Sequence, residues 1–164
     1  MSKLLRIAIK KAKRMPMIEL QSAFVSIQNG VADDFRGKPG KRQVTVLDVG
    51  SWNEACNMLG TQLDWTTRRS NLLVDGLDLN KSAGKFIVVG NVVLEITQET
   101  DPCSRMDEAH DGLFDALKTN WRGGVCCQVV RNGEIKVGDV VRLLSKAPTH
   151  LSSQKEREPL YNGK

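Results

Sequence analysis

VCCQVVRNGEIKVGDVVRLL, residues 125–144, decides the fold class. Three runs rich in β-branched residues are separated by Asn132-Gly133 and Gly138-Asp139, dipeptides that mark turns between strands. The stretch reads as strand, turn, short strand, turn, strand. Working back along the chain, KFIVVGNVVLEITQ (85–98) repeats the pattern around Gly90-Asn91, as a hairpin or sharp bend. NLLVDGL (71–77) is a strand running into a turn at Asp75-Gly76, and KRQVTVLDVG (41–50) alternates at Val44, Thr45 and Val46. SAFVSIQNGV (22–31) alternates through Phe24, Val25 and Ile27 and stops at Asn29-Gly30. Leu4 to Ile9 supplies a first strand, with a turn near Met15 and Pro16.

Helical signals are sparse. In SWNEACNMLG (51–60), Trp52, Ala55, Cys56 and Leu59 share one helical face, Ser51 can cap the start and Gly60 the end. Many short strands, closely spaced turns and two or three short helices predict an all-β barrel or sandwich. No period of about 20 to 50 residues recurs, which excludes a solenoid. The expected organisation is one domain over residues 1–146, followed by a polar, aperiodic and flexible tail over 147–164.

Composition narrows the class. The chain has 164 residues, 40% hydrophobic and 26% charged, as in ordinary globular proteins. No apolar run approaches the ~20 residues that cross a bilayer, and the basic start lacks a signal-peptide h-region. A cytoplasmic location without membrane attachment is the expectation. The net charge is +5, with Lys3, Arg6, Lys10, Lys11, Lys13 and Arg14 at the start and four more cations in RGKPGKR (36–42). That balance suits an anionic partner. Three Trp, four Phe and one Tyr, with no aromatic-rich strand, make a poor platform for stacking bases. A non-catalytic basic β-barrel that binds nucleic acid is therefore a third-ranked reading.

The four cysteines stand at 56, 103, 126 and 127, without a CxxC pair or paired histidines, so a zinc site is not expected. Cys56 lies on the apolar face of its helix. Cys126 and Cys127 are adjacent in a strand and face opposite sides, so all three are expected to pack. Cys103 is different. In TDPCSRMDEAHDGL (100–113), Thr100 or Asp101 can cap a helix, Pro102 suits its first turn, and Cys103 follows in that turn. A thiol there loses its proton more easily, and Arg105 adds to the effect while Asp101, Asp107 and Glu108 oppose it. A thiolate attacks sulfur, carries persulfide or ligates a soft metal. Asp111-Gly112 then opens a second short helix with Leu113, Phe114 and Leu117 toward the core.

Four blocks carry a family resemblance: GKRQVTVLD (40–48), RRSNLLVDGLDL (68–79), GKFIVVGNVVLEITQETDPCSRM (84–106) and GLFDALKTNWRGGVCCQVVRNGEIKVGDVVRL (112–143). In order and spacing they resemble the MOSC domain, the module named after the C-terminal part of molybdenum cofactor sulfurase. The similarity spans roughly residues 20 to 145 and rests on the R-R-x-N segment, the cysteine after proline and the closing G-x-I-x-x-G-D. It implies a mainly β, MOSC-type β-barrel with a few short helices. It also implies a sulfur-carrier or molybdenum-cofactor-binding module, with molybdenum cofactor (molybdopterin) as the implied cofactor.

The family's cysteine maps onto Cys103, as acceptor of persulfide sulfur or as ligand of molybdenum. Arg68, Arg69 and Asn71 match R-R-x-N, and guanidinium forks suit a phosphate or a pterin edge. Lys38, Lys41 and Arg42 fall in the family's basic loop, and Arg105 completes the expected anion-binding set. Gly133, Gly138 and Asp139 match the terminal hairpin and are read as structural. Asp33-Asp34 stands where many members have Gly-Asp. The implied partner is a separate cysteine-desulfurase-type (pyridoxal phosphate) sulfur donor or an electron-donor protein. The alternative activity is a molybdenum-dependent reduction of N-hydroxylated bases, as some stand-alone relatives are believed to perform.

Overall fold

The structure, a computed structural model, describes residues 1–149. Residues 150–164 of the expected tail lie outside the described residues. The chain begins with β1 (Leu4–Ile9), which turns through the basic segment into β2 (Ile18–Leu20); β3 (Ser22–Ser26) and β4 (Gly30–Val31) form a small hairpin. β5 (Val44–Asp48) runs straight into α1 (Val49–Leu59). A 3₁₀ turn, Trp65–Arg68, then leads to β6 (Leu72–Val74). β7 (Phe86–Val89) and β8 (Val92–Glu99) follow, then α2 (Arg105–Ala109) and α3 (Leu113–Lys118), and last β9 (Val125–Arg131), β10 (Gly133–Lys136) and β11 (Val141–Leu144).

Eight strands make one sheet in the order β11-β7-β8-β9-β5-β6-β1-β2, and β10-β3-β4 make a second. The fold is mainly β, as the patterning predicts, but the barrel does not close by a continuous ladder. β2 pairs with only Ile7 to Ile9 of β1, so the start of β1 keeps a free edge. Residues 138–141 take that edge through a single bridge, Lys3 to Val140. The bonds there run from Leu4 N–H to Asp139 C=O (2.8 Å), Gly138 N–H to Leu4 C=O (2.8 Å) and Val141 N–H to Ser2 C=O (2.9 Å).

The hairpin at Gly90-Asn91 forms as predicted, with Val89 opposite Val92. The C-terminal run does not fold into the consecutive hairpins that its turns suggest. Both edges of β9 are already occupied, by β8 and β5, so β10 has no place beside it. Asn132-Gly133 instead sends β10 to β3, and β11 returns to β7. Gly133 is extended there rather than left-handed, whereas Gly138 does take φ +99°.

Period-two alternation sorts the core into two clusters. Ile7, Val44, Val46, Leu72, Val74, Val125 and Cys127 face the inside of the curled sheet. Ala8, Leu47 and Leu73, alternating with them, face outward against the helices and pack with Trp52, Cys56, Met106, Leu113 and Leu117. α1 starts three residues earlier than expected. Asp48, not Ser51, caps it: the carboxylate accepts from Ser51 N–H at 3.1 Å and also from Leu77 N–H at 3.1 Å. Gly60 closes the helix in the left-handed region, as read from the sequence.

Candidate functional site

The helix layer leaves a cavity of ≈ 430 Å³ between the end of the 3₁₀ turn, the loop over 100–106 and the outer face of β9. Cys103 lines it and is exposed. It does not sit in a helix as predicted: α2 begins at Arg105, and the Cys103 carbonyl accepts the Met106 N–H at 2.9 Å, one step ahead of the helix. Ser104 makes no side-chain cap and α2 has only five residues, so aligned peptide dipoles contribute little here. Side-chain cations supply the positive charge instead. Lys10, Arg36, Arg42, Arg68, Arg69 and Arg105 all line the cavity, with Asp101 as the carboxylate among the lining residues.

Arg68 is buried and is spent mainly on backbone. Its Nε donates to Gly123 C=O at 3.0 Å and its Nη2 to Thr100 C=O at 2.7 Å, which staples the loop of Cys103 to the turn before β9. Burial pushes its pKa down. The thiols of Cys103 and then Cys126 offset this most, followed by Glu99 and Asp101. Arg69 follows with φ +65°, a left-handed conformation that an L-residue adopts at a cost of about 1–2 kcal/mol. Its guanidinium reaches the Met15 carbonyl and the cavity. Lys10, half-buried, has its pKa lowered by burial and then by Arg36 and Arg69, with Asp34 opposing and Arg105 adding to the effect. The cations therefore repel one another around a space with too few carboxylates.

A family model of the MOSC domain matches residues 32–142, which include every residue that lines this cavity except Lys10. The chain belongs to the MOSC domain family. Among solved structures, this MOSC protein resembles YuaD from Bacillus subtilis (17% identity, TM-score 0.75, covering 90% of this chain and 98% of that one). It also resembles YiiM from Geobacillus stearothermophilus (16%, 0.72, 99% and 85%) and YiiM from Escherichia coli (13%, 0.67, 88% and 71%). At these identities the likeness is one of fold. A comparison with curated proteins finds no match.

Within this MOSC fold, Cys103, Arg68, Arg69, Arg42 and Arg105 converge on one cavity. Three residues of the expected set lie elsewhere. Asn71 is buried behind the wall, and both ends of its amide are spent on the frame. Its oxygen accepts from Thr45 N–H (3.0 Å) and Thr45 Oγ1 (3.3 Å), and its nitrogen donates to Ala8 C=O (3.1 Å). The short side chain satisfies β1 and β5 at once, so the motif asparagine joins strands. Lys38 and Lys41 line the adjoining cleft rather than the cavity itself.

The sequence reading did not mark Lys10, Arg36 or Cys126 as site residues. Lys10 belongs to a basic run whose other members gave it no distinction, and only the end of β1 brings it to the cavity. Cys126 and Cys127 do face opposite sides, but the outward one, Cys126, borders the cavity with its sulfur 3.4 Å from Thr100 Oγ1. Glu99 lies outside the cavity, in a neighbouring cleft that Asp101 also lines. Burial first, then the charge and hydrogen bond of Asp101, raise its pKa, while Arg68 lowers it.

Proposed function

We propose that this MOSC protein is a molybdenum-cofactor-binding module in which Cys103 is the working thiol and the cationic wall holds the anionic, ring-bearing part of the cofactor. The cavity beside the thiol carries this reading. A protein that only relays persulfide needs an exposed sulfur, whereas an open cavity lined by five guanidinium groups and a lysine suits a charged small molecule. Among the described residues no group of three His, Cys, Asp or Glu converges to hold a bare ion. A metal here would arrive with most of its ligands in place, and Cys103 would add one soft sulfur donor. The bound group would supply redox chemistry; Arg69, Arg105 and Arg42 would orient it and Arg68 would keep the Cys103 loop in position. Accepting persulfide sulfur from a cysteine-desulfurase-type partner is the other use of the same thiol.

A second reading, reduction of N-hydroxylated bases with electrons from a separate donor protein, is favoured by the one carboxylate among the described residues of the cavity wall. Removing a hydroxyl as water consumes protons, and Asp101 lines the cavity where it is placed to relay them.

The test is purification from cells able to make molybdenum cofactor, with pterin, metal and persulfide measured together. Stoichiometric pterin and molybdenum, the metal lost in Cys103→Ala, supports the reading; persulfide on Cys103 without metal favours the carrier, and neither would overturn both. Arg69→Gly sharpens the result. It relieves the left-handed strain while removing the cation, so thermal stability should hold or rise as pterin retention falls. Unchanged retention would remove Arg69 from the site.

A further inference from the structure

The loop over residues 34–42 is held firmly while its cationic side chains are left exposed. Gln43, 1% exposed, donates to Ile27 C=O (2.7 Å) and Gly37 C=O (3.0 Å) and accepts from Val129 N–H (2.9 Å). Asp34 accepts from Lys10 N–H (3.0 Å), and Phe35 N–H donates to Lys10 C=O (2.8 Å). Gly37 packs so closely that a Cβ there would lie 1.8 Å from Asn29 O. A loop fixed this firmly presents its groups with little ordering left to do on binding. Among the described residues none of its cations forms an ion pair.

Phe35, Arg36, Lys38, Lys41 and Arg42 of this loop, with Gln98 of β8, line a cleft of ≈ 650 Å³ that has no carboxylate in its wall. Arg36 and Arg42 also line the Cys103 cavity, so the two spaces share a wall. The cleft thus combines cations, an amide and one aromatic ring that is 47% exposed. Simple phosphate recognition needs the cations but not the ring. A ring face beside cations matches a planar heterocycle carrying phosphate, since stacking on an aromatic side chain and charge-assisted bonds to phosphate oxygens are complementary demands.

We propose that this outer cleft is a nucleotide subsite, with phosphate held by Lys38, Lys41 and Arg42, the base against Phe35, and the Gln98 amide at the base edge. The nucleotide is either a substrate or the nucleotide end of a larger molecule whose other end fills the Cys103 cavity. The proposal rests on the reading above only for what occupies that inner cavity.

Isothermal titration of the purified full chain with AMP, GMP and CMP, with adenosine and with inorganic phosphate tests it. The nucleotides should bind more tightly than either adenosine or phosphate. Lys38→Gln/Lys41→Gln should weaken nucleotide binding by about tenfold or more, the equivalent of one lost charge-assisted bond. Phe35→Ala should weaken it by about tenfold while leaving phosphate unchanged. All of these side chains are exposed, so unaltered melting of the variants confirms that folding is intact. Cys103→Ala should bind nucleotide like the parent chain, which separates this subsite from the thiol: pterin retention without nucleotide binding sinks the subsite alone. Nucleotide that adds to cofactor-loaded protein marks a substrate, and nucleotide excluded by the cofactor marks the cofactor's own end; both support the subsite. Phosphate binding as tightly as the nucleotides would overturn it, as would a single-stranded oligonucleotide binding with steep salt dependence where mononucleotides do not.

Discussion

Arg68 shows how a motif residue can serve a site without facing its ligand alone. Its two carbonyl bonds join the Cys103 loop to the turn before β9, and truncation would leave the buried Gly123 carbonyl and the part-buried Thr100 carbonyl without this donor. Glu99, close by, carries the clearest pH signature. Its pKa is raised, so the folded chain holds this proton more tightly than the unfolded chain does. Stability therefore falls as pH rises through the interval above the ordinary glutamate value, and the penalty of the charged carboxylate remains at higher pH. Glu99→Gln removes that penalty. From about pH 4 to 7 the melting temperature of the variant should decline less, or rise more, than that of the parent chain; parallel curves would show Glu99 to be solvated. At this scale the sequence marked residue types well. The R-R-x-N pattern was visible, but whether each polar group met a ligand or a backbone carbonyl was not, because Asn71 and Arg68 find their partners in segments 26 to 63 residues away.

Between β8 and β9 the chain has to return tightly beneath the cavity, and Gly124 makes this possible. It holds φ +93°, and a Cβ there would lie 2.3 Å from Val46 O on β5, while its carbonyl accepts from Thr100 N–H at 2.9 Å. Gly124→Ala combines a left-handed penalty with a backbone clash. It should cost about 2–4 kcal/mol in urea unfolding, and a loss below about 0.5 kcal/mol would mean that the turn relaxes freely. Element identities were legible because local signals agree with the fold: β1 occupies Leu4–Ile9, Gly90-Asn91 makes its hairpin and Gly60 ends α1. The helix expected to contain Cys103 was misplaced because Pro102 and its acidic neighbours satisfy the local rules for a helix start, while the bonds of Arg68 hold Thr100 and its neighbours in an irregular loop. Asp33 illustrates the same competition. It takes φ +69° where many family members have glycine, a conformation that aspartate tolerates better than most residues.

For the whole molecule, the seam between the start of β1 and residues 138–141 is the weakest closure of the sheet, resting on one bridge and three backbone bonds. Hydrogen exchange should find the Leu4 and Val141 amides opening before those of β5 and β9, which are flanked by strands on both sides. Equal protection would mean that the seam opens only with global unfolding. No helix among the described residues is long and apolar enough to span a membrane. The sequence by itself determined which segments extend, where the chain turns, and that a thiol, paired arginines and a basic loop were the chemistry available; alternation and turn residues act locally, so they survive in one dimension. Only the tertiary structure decided that β9, β10 and β11 pair with different strands, and that Lys10, Arg36 and Cys126 stand around Cys103. Strand partners are set by which edges remain free after other strands have paired, and that competition involves the whole chain at once.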